Sequence, residues 1–121
     1  DKIKYFYKLI ENSKKASRWE VVETTCEILK NIEINNPIIL YDLAIAQRAL
    51  GKLEDSFKNI SQSISGNLLN HNQLVYAKYL KALILIDIKE YSEASKILNL
   101  IKVDYPEFKP VNKIIKNLQL R

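Results

Sequence analysis

One pattern occurs three times in this sequence, and the repetition leaves few folds open to the chain. Trp19, Leu53 and Tyr91 each open a segment with helical periodicity, and they lie 34 and 38 residues apart. A second helical segment precedes each of them, with an equivalent residue nine positions earlier. These equivalent residues are Ile10, Ala44 and Ala82. Self-similarity at this period is typical of proteins that stack one supersecondary unit, so we expect an array of helical hairpins.

The clearest copy of the pattern is the segment 89–106, KEYSEASKILNLIKVDYP. Four of its residues follow each other three and four positions apart, which places them on one face of a helix. These residues are Tyr91, Ala94, Leu98 and Ile101. Pro106 then closes the segment, because proline cannot continue a helix. The segment is therefore predicted to be the second helix of a hairpin.

This pattern resembles the tetratricopeptide repeat (TPR) family, whose unit of about 34 residues consists of an A helix and a B helix. The resemblance rests on small residues such as Ala82 and Ala94 and on the closing proline. In the family, the small residues stand where paired helices approach closely. The resemblance implies an all-α fold, a right-handed superhelical stack of antiparallel helix hairpins. Ile10 and Lys81 depart from the family pattern, and the first repeat is the least regular.

The hydrophobic period predicts three repeats in a single TPR-like domain, followed by a C-terminal helix that is either a capping helix or the first half of a fourth repeat. The predicted ranges are about 2–35, 37–66 and 73–106 for the repeats and about 108–120 for the capping helix. The first helix of repeat 3, at about 73–88, is apolar on more than one side and is expected to be the most buried helix. The chain begins with Asp1 and contains no methionine, so we expect a fragment of a longer protein.

The capping helix is expected to cover the apolar end of the second helix of repeat 3, which lies in the segment 89–106. Its amphipathic pattern begins after Pro106 and is opened by Pro110. The residues that it is expected to cover are Ile97, Leu100 or Ile101.

No residue pattern in the chain predicts catalysis, a cofactor or a metal site. The single cysteine, Cys26, lies on the apolar stripe of a predicted helix and is expected to be a buried packing residue. The single histidine, His71, falls in a polar connection and is expected to be a solvated loop residue. Neither glycine belongs to a phosphate-binding motif. The protein is therefore not expected to be an enzyme.

The net charge of +5 admits an acidic partner, nucleic acid or anionic lipid. However, the lysines are spread along most of the helices, and no arginine-rich or glycine-aromatic RNA motif is present. We therefore expect the lysines to solvate helix surfaces and do not expect a nucleic-acid partner. No apolar run approaches the roughly 20 residues needed to span a bilayer. Compartment and oligomeric state stay open.

The resemblance also implies a binding surface, because relatives with this fold hold peptides or helices of partner proteins in a concave groove lined by A helices. The family's groove positions can be transferred one residue at a time to the three repeats. The candidate binding residues are Lys4, Tyr7 and Glu11 in repeat 1, Ile38, Tyr41, Ile45 and Arg48 in repeat 2, and Tyr76, Tyr79, Leu83 and Ile86 in repeat 3, with Lys14, Lys15, Ala49 and Asp87 at the ends of these sets.

Tyr7, Tyr41 and Tyr79 share one repeat position and are predicted to form a column along the groove. Tyrosine offers a large apolar face and a hydroxyl, which suits a peptide with apolar anchors and some acidic residues. The alternative is that these tyrosines fill space between adjacent A helices. The sequence thus favours a protein- or peptide-binding module. A structural assembly module that contacts its neighbours through its ends or convex face is the second possibility.

Overall fold

The computed structural model describes residues 1–119, and this part of the chain folds into seven α-helices without a β-strand. The helices are α1 (Lys2–Lys15), α2 (Trp19–Ile32), α3 (Pro37–Ala49), α4 (Leu53–Ser65), α5 (His71–Ile88), α6 (Tyr91–Asp104) and α7 (Pro110–Gln119). Consecutive helices pair as A and B partners in the predicted order. The expected all-α architecture of helical hairpins is therefore confirmed.

The chain divides into two compact units, Asp1–Leu68 and the part from Leu69 onward. Unit 1 contains two hairpins, in which α1 packs against α2, α2 against α3 and α3 against α4. Unit 2 contains the α5–α6 hairpin, and α7 packs against α6. That the chain forms a single domain stays a prediction.

The same turn joins the A and B helices in all three hairpins. Its central residue has a left-handed backbone, with φ of 56° at Ser17, 78° at Gly51 and 74° at Lys89. The next backbone amide donates to the carbonyl five positions earlier at 2.8 Å in each case. These pairs are Arg18 to Ser13, Lys52 to Gln47 and Glu90 to Leu85. Together with a second bond from the left-handed residue, this is a Schellman cap, and its three positions keep the 34- and 38-residue offsets.

Small residues bring the paired helices together as the repeat pattern predicts. In unit 1, Ser56 of α4 is fully buried, and its hydroxyl donates to the carbonyl oxygen of Ala44 in α3 at 2.6 Å. In unit 2, Ala82 of α5 and Ala94 of α6 are fully buried as well. A longer side chain at these positions would have to push the two helices apart.

The core of unit 1 is formed by aliphatic residues of α1, α2 and α3. Its buried members are Ile10, Val22, Cys26, Leu29, Ile39, Leu43 and Ala46. Cys26 is completely buried in this core, as expected for a packing residue. Burial, followed by the charge of Asp42, raises the pKa of its thiol to about 12. The thiolate is therefore essentially absent at neutral pH.

The core of unit 2 joins α5 and α6 to the last helix. Its buried members are Val75, Ala82, Leu98, Ile101, Tyr105, Phe108, Val111 and Ile115. The last helix thus covers the end of α6, as predicted, and Ile97 also packs against this core. Leu100 is 61% exposed, so the prediction that the helix could cover it is wrong.

The last helix begins at Pro110, two residues later than predicted, and residue 120 of the predicted range lies outside the described residues. Phe108 therefore precedes the helix, in the turn after α6, and yet is buried.

Two further predictions about unit 2 are wrong. His71 is the first residue of α5 rather than a loop residue, because Asn70 and Gln73 form a capping box that starts the helix earlier. The most buried helix is α3, which buries seven of its 13 residues, whereas α5 buries six of its 18. The reason is that α3 packs between α2 and α4 within unit 1.

Candidate functional site

The predicted groove residues of α3 form a partly accessible stripe on a helix that is otherwise buried. Between residues 38 and 48, every residue is buried except Ile38, Tyr41, Ile45 and Arg48, which are half-buried. Their spacing of three, four and three positions keeps them on one side of the helix. We call these four residues the α3 stripe. Ala49, at the end of the predicted set, is exposed.

On α1, Tyr7 is half-buried and anchored by two polar partners of the α2–α3 connection. Its hydroxyl donates to a carboxylate oxygen (Oε1) of Glu33 at 2.6 Å and accepts from Nδ2 of Asn36 at 3.0 Å. Asn36 also caps α3, because its side-chain oxygen accepts from the amides of Ile38 and Ile39. Burial and the Glu33 carboxylate raise the pKa of Tyr7 to about 12. We call Tyr7, Glu33 and Asn36 the tyrosine network.

A second polar contact links the end of α1 to the middle of α3. Nζ of Lys14 lies 2.9 Å from Oδ1 of Asp42, whose side chain is only 9% exposed. Burial outweighs the attraction of Lys14 and raises the pKa of Asp42. Burial alone would lower the pKa of Lys14, but the charge and hydrogen bond of Asp42 raise it overall. The exposed Glu11, another predicted groove residue, pairs with the same Lys14 at 3.6 Å.

The remaining predicted residues of α1, Lys4 and Lys15, are exposed. The predicted residues of repeat 1 therefore divide into an anchored tyrosine, one ion-paired lysine and a solvated charged rim.

In unit 2, the predicted tyrosines gather around a phenylalanine from the turn after α6. The rings of Tyr76 and Tyr79 each meet the ring of Phe108 edge-on, with centroids 5.1 and 5.3 Å apart. Tyr76 remains 52% exposed and Tyr79 is half-buried. Leu83 and Ile86 are half-buried, and Ile86 packs against the core of unit 2, while Asp87 is exposed.

Sequence reasoning missed the partners that hold these residues in place. Glu33 lies 26 positions from Tyr7, and Asp42 lies 28 positions from Lys14, so neither pairing follows from the helical period. Asn36 could have been found, since Asn before Pro37 is typical of a helix start. For Phe108, the sequence shows only that an aromatic residue lies near the end of the third repeat, which does not predict its contacts.

Within residues 1–119, no three His, Cys, Asp or Glu side chains are placed so that they could hold a metal ion. The same part of the chain contains no helix that is both long enough and apolar enough to cross a membrane.

No protein-family model matches the chain, and no curated protein matches it by sequence. By structure, the chain is similar to the solved protein described as "MamA RS-1 ArsTM double mutant", with a TM-score of 0.81 and 23% sequence identity. The similarity covers 95% of this chain and 62% of that chain. At this identity the likeness shows the fold alone, a TPR-like arrangement of helical hairpins.

Proposed function

We propose that this chain is a non-catalytic protein-interaction module that holds a peptide or helix of a partner protein along the exposed sides of its A helices. The observation that carries the proposal is the α3 stripe. From residue 38 to residue 48, all residues of α3 are buried except four. These four partly accessible residues are the ones that the family resemblance assigns to binding.

The composition of the α3 stripe suits a protein partner. Tyrosine and arginine are enriched among the residues that contribute most to binding energy at interfaces. Ile38 and Ile45 flank Tyr41 on the same side of the helix and add apolar area around the aromatic ring. The partner segment is therefore expected to carry apolar anchors.

The charge of unit 1 adds an acidic component to the expected partner. Lys4, Lys8 and Lys15 of α1 are exposed, and Arg48 ends the α3 stripe. Such rim charges mainly accelerate association and select against positively charged partners, and salt weakens their effect. The partner is thus expected to place its acidic residues beside its apolar anchors.

Substitution of Tyr41 tests the proposal. A peptide is first selected from a random library on the wild-type chain, and its Kd is then measured by calorimetry for each variant. Tyr41→Ala is expected to raise this Kd about thirtyfold, because loss of an aromatic hot spot costs about 2 kcal/mol or more. Circular dichroism and a thermal melt show whether the variant is still folded.

The matched control is Lys58→Ala, which changes an exposed residue of α4 outside the α3 stripe. Its Kd is expected to equal that of the wild type. A folded Tyr41→Ala variant that binds the peptide with wild-type affinity would refute binding at the α3 stripe.

A second candidate function is structural assembly through the B helices. Ile28 and Ile32 lie one turn apart on α2 and are 41% and 52% exposed. On α6, Leu100 and Val103 are 61% and 74% exposed. Apolar side chains left in water on the B helices favour contacts with a neighbouring domain or subunit. If assembly is the function, Ile28→Asp would abolish association with that neighbour and Tyr41→Ala would not.

A further inference from the structure

Unit 1 has a cleft at the connection between α2 and α3, and none of its lining residues belongs to the α3 stripe. The cleft consists of two adjoining cavities of about 230 Å³ and about 330 Å³. Asn35, Leu40 and Gln62 line both cavities, so the two share a common wall. We call this feature the turn cleft.

The inner surface of the turn cleft is apolar. Ile39 and Leu40 of α3 are buried at 1% and 4% exposure, and Pro37 lies beside them. Each cavity also has one strongly exposed aliphatic residue in its lining, Ile34 at 76% exposure in the smaller cavity and Leu68 at 66% exposure in the larger one. An aliphatic side chain placed in the smaller cavity would be removed from water together with Ile34, which is favourable in proportion to the apolar area buried.

Carboxamide side chains line the same cleft. Asn31, Asn35 and Gln62 are exposed, and no hydrogen bond within residues 1–119 uses their side-chain amides. A carboxamide donates and accepts, as does each backbone unit of a peptide. A phosphate group or a carboxylate would only accept and would leave the carboxamide oxygens unpaired.

The charges of the turn cleft are balanced, and both charged side chains are already hydrogen-bonded within unit 1. Lys30 donates to Oδ1 of Asn59 at 3.4 Å, and Glu33 accepts from the hydroxyl of Tyr7 at 2.6 Å. One lysine and one glutamate thus cancel in the lining. A charged ligand would gain little electrostatic attraction here, whereas a neutral one would lose none.

We propose that the turn cleft is a second binding site, which takes an uncharged, extended peptide segment. One aliphatic side chain of the segment enters the smaller cavity, between Ile34 and Leu40. The backbone on either side of this residue pairs with the carboxamides of Asn31, Asn35 and Gln62.

The experiment titrates the capped peptide acetyl-Ser-Gly-Leu-Gly-Ser-amide into the full-length ¹⁵N-labelled chain and follows chemical shifts by NMR. The side-chain amide signals of Asn31, Asn35 and Gln62 are expected to move and to saturate with a Kd of about 1 mM. Such an affinity is reasonable for one aliphatic anchor and a few hydrogen bonds. Replacing the peptide's leucine with aspartate or lysine is expected to abolish the shifts, and N-methylation of the leucine amide is expected to weaken them.

Two variants remove the carboxamides without disturbing the fold. Asn35→Gly retains the turn, because φ at this position is 66° and glycine adopts it without strain. Gln62→Ala replaces an exposed residue of α4 with a better helix former. Each is expected to raise the Kd about threefold to tenfold, the effect of one lost hydrogen bond. Asn12→Ala removes an exposed carboxamide of α1 outside the cleft and is expected to leave the Kd unchanged.

Three results would overturn the proposal. The first is the absence of shifts at the three carboxamides with about 10 mM peptide. The second is equal binding of the aspartate or lysine peptide. The third is self-association of the wild-type chain that Ile34→Ser abolishes in sedimentation, since the cleft would then hold a second copy of the chain. Because Tyr41→Ala leaves the cleft intact, failure at the α3 stripe and failure at the turn cleft are distinguishable.

Discussion

The close contact between Ser56 and α3 allows a direct test of how the hairpin in unit 1 is held together. Ser56 is 0% exposed, and its hydroxyl lies 2.6 Å from the carbonyl oxygen of Ala44. The Ser56 side chain is therefore in direct contact with the backbone of α3. Ser56→Leu would therefore both remove a hydrogen bond and force larger side-chain volume between two packed helices.

The size of the effect follows from these two contributions. Loss of the hydrogen bond costs about 0.5 to 1.5 kcal/mol, and overpacking of a filled site costs about 1 to 3 kcal/mol. The free energy of unfolding should thus fall by about 1.5 to 4.5 kcal/mol. For a unit of this size, about 1 kcal/mol corresponds to a shift in melting temperature of roughly 4 to 8 °C. Ser56→Leu is therefore expected to melt at least about 6 °C below the wild type.

Thermal unfolding followed by circular dichroism measures this shift. Ser56→Ala is the intermediate case, since it removes only the hydrogen bond and gains some helix propensity, and it is expected to lower the melting temperature by a few degrees. Ser92→Leu makes the same serine-to-leucine exchange at an exposed position of α6 and is expected to leave the melting temperature nearly unchanged. A Ser56→Leu protein that melts within a degree of the wild type would refute the close approach of α3 and α4.

Two further predictions concern the cores. Deleting residues after Pro110 removes Val111 and Ile115 from the core of unit 2, which should lower the free energy of unfolding by about 3 to 6 kcal/mol and cause self-association in light scattering. Exchanging the exposed Lys113 for alanine should have neither effect. A truncated chain that is monomeric and equally stable would contradict the covering role of α7. Burial raises the pKa of Cys26 to about 12, so a thiol reagent at pH 8 should label this residue only as fast as the chain unfolds. Complete labelling of the folded protein within a minute would show instead that Cys26 is accessible.

The helices could be predicted from the sequence because their apolar residues repeat with the helical period. The A–B turns could be predicted only in part. Gly51 is a clear signal, since glycine takes a left-handed backbone without strain. Ser17 and Lys89 adopt the same conformation although their side chains disfavour it, so the cap that surrounds them imposes it. The repeat offset, rather than residue type, is what identifies those two turns.

The candidate site was predictable as a set of helix positions but not as a set of contacts. Between residues 38 and 48 of α3, the predicted residues 38, 41, 45 and 48 are the incompletely buried ones, and their positions follow from the helical period. The contacts of Tyr7 and Lys14 depend on how α1 lies against the α2–α3 connection and α3, which no local pattern encodes. The aromatic contacts of Tyr76 and Tyr79 likewise depend on where the turn after α6 places Phe108.

These contacts have a consequence for the proposed binding face of unit 1. The tyrosine network links α1 to the start of α3, and the Lys14–Asp42 pair links the two helices again near the middle of α3. Two separate polar links, one of them to a largely buried carboxylate, fix the spacing of α1 and α3 before any partner arrives. A preformed face spares the module the entropic cost of ordering its own side chains on binding. Under the proposed function, the α3 stripe would need only to order the partner segment, which is the arrangement expected of a surface that captures a flexible peptide.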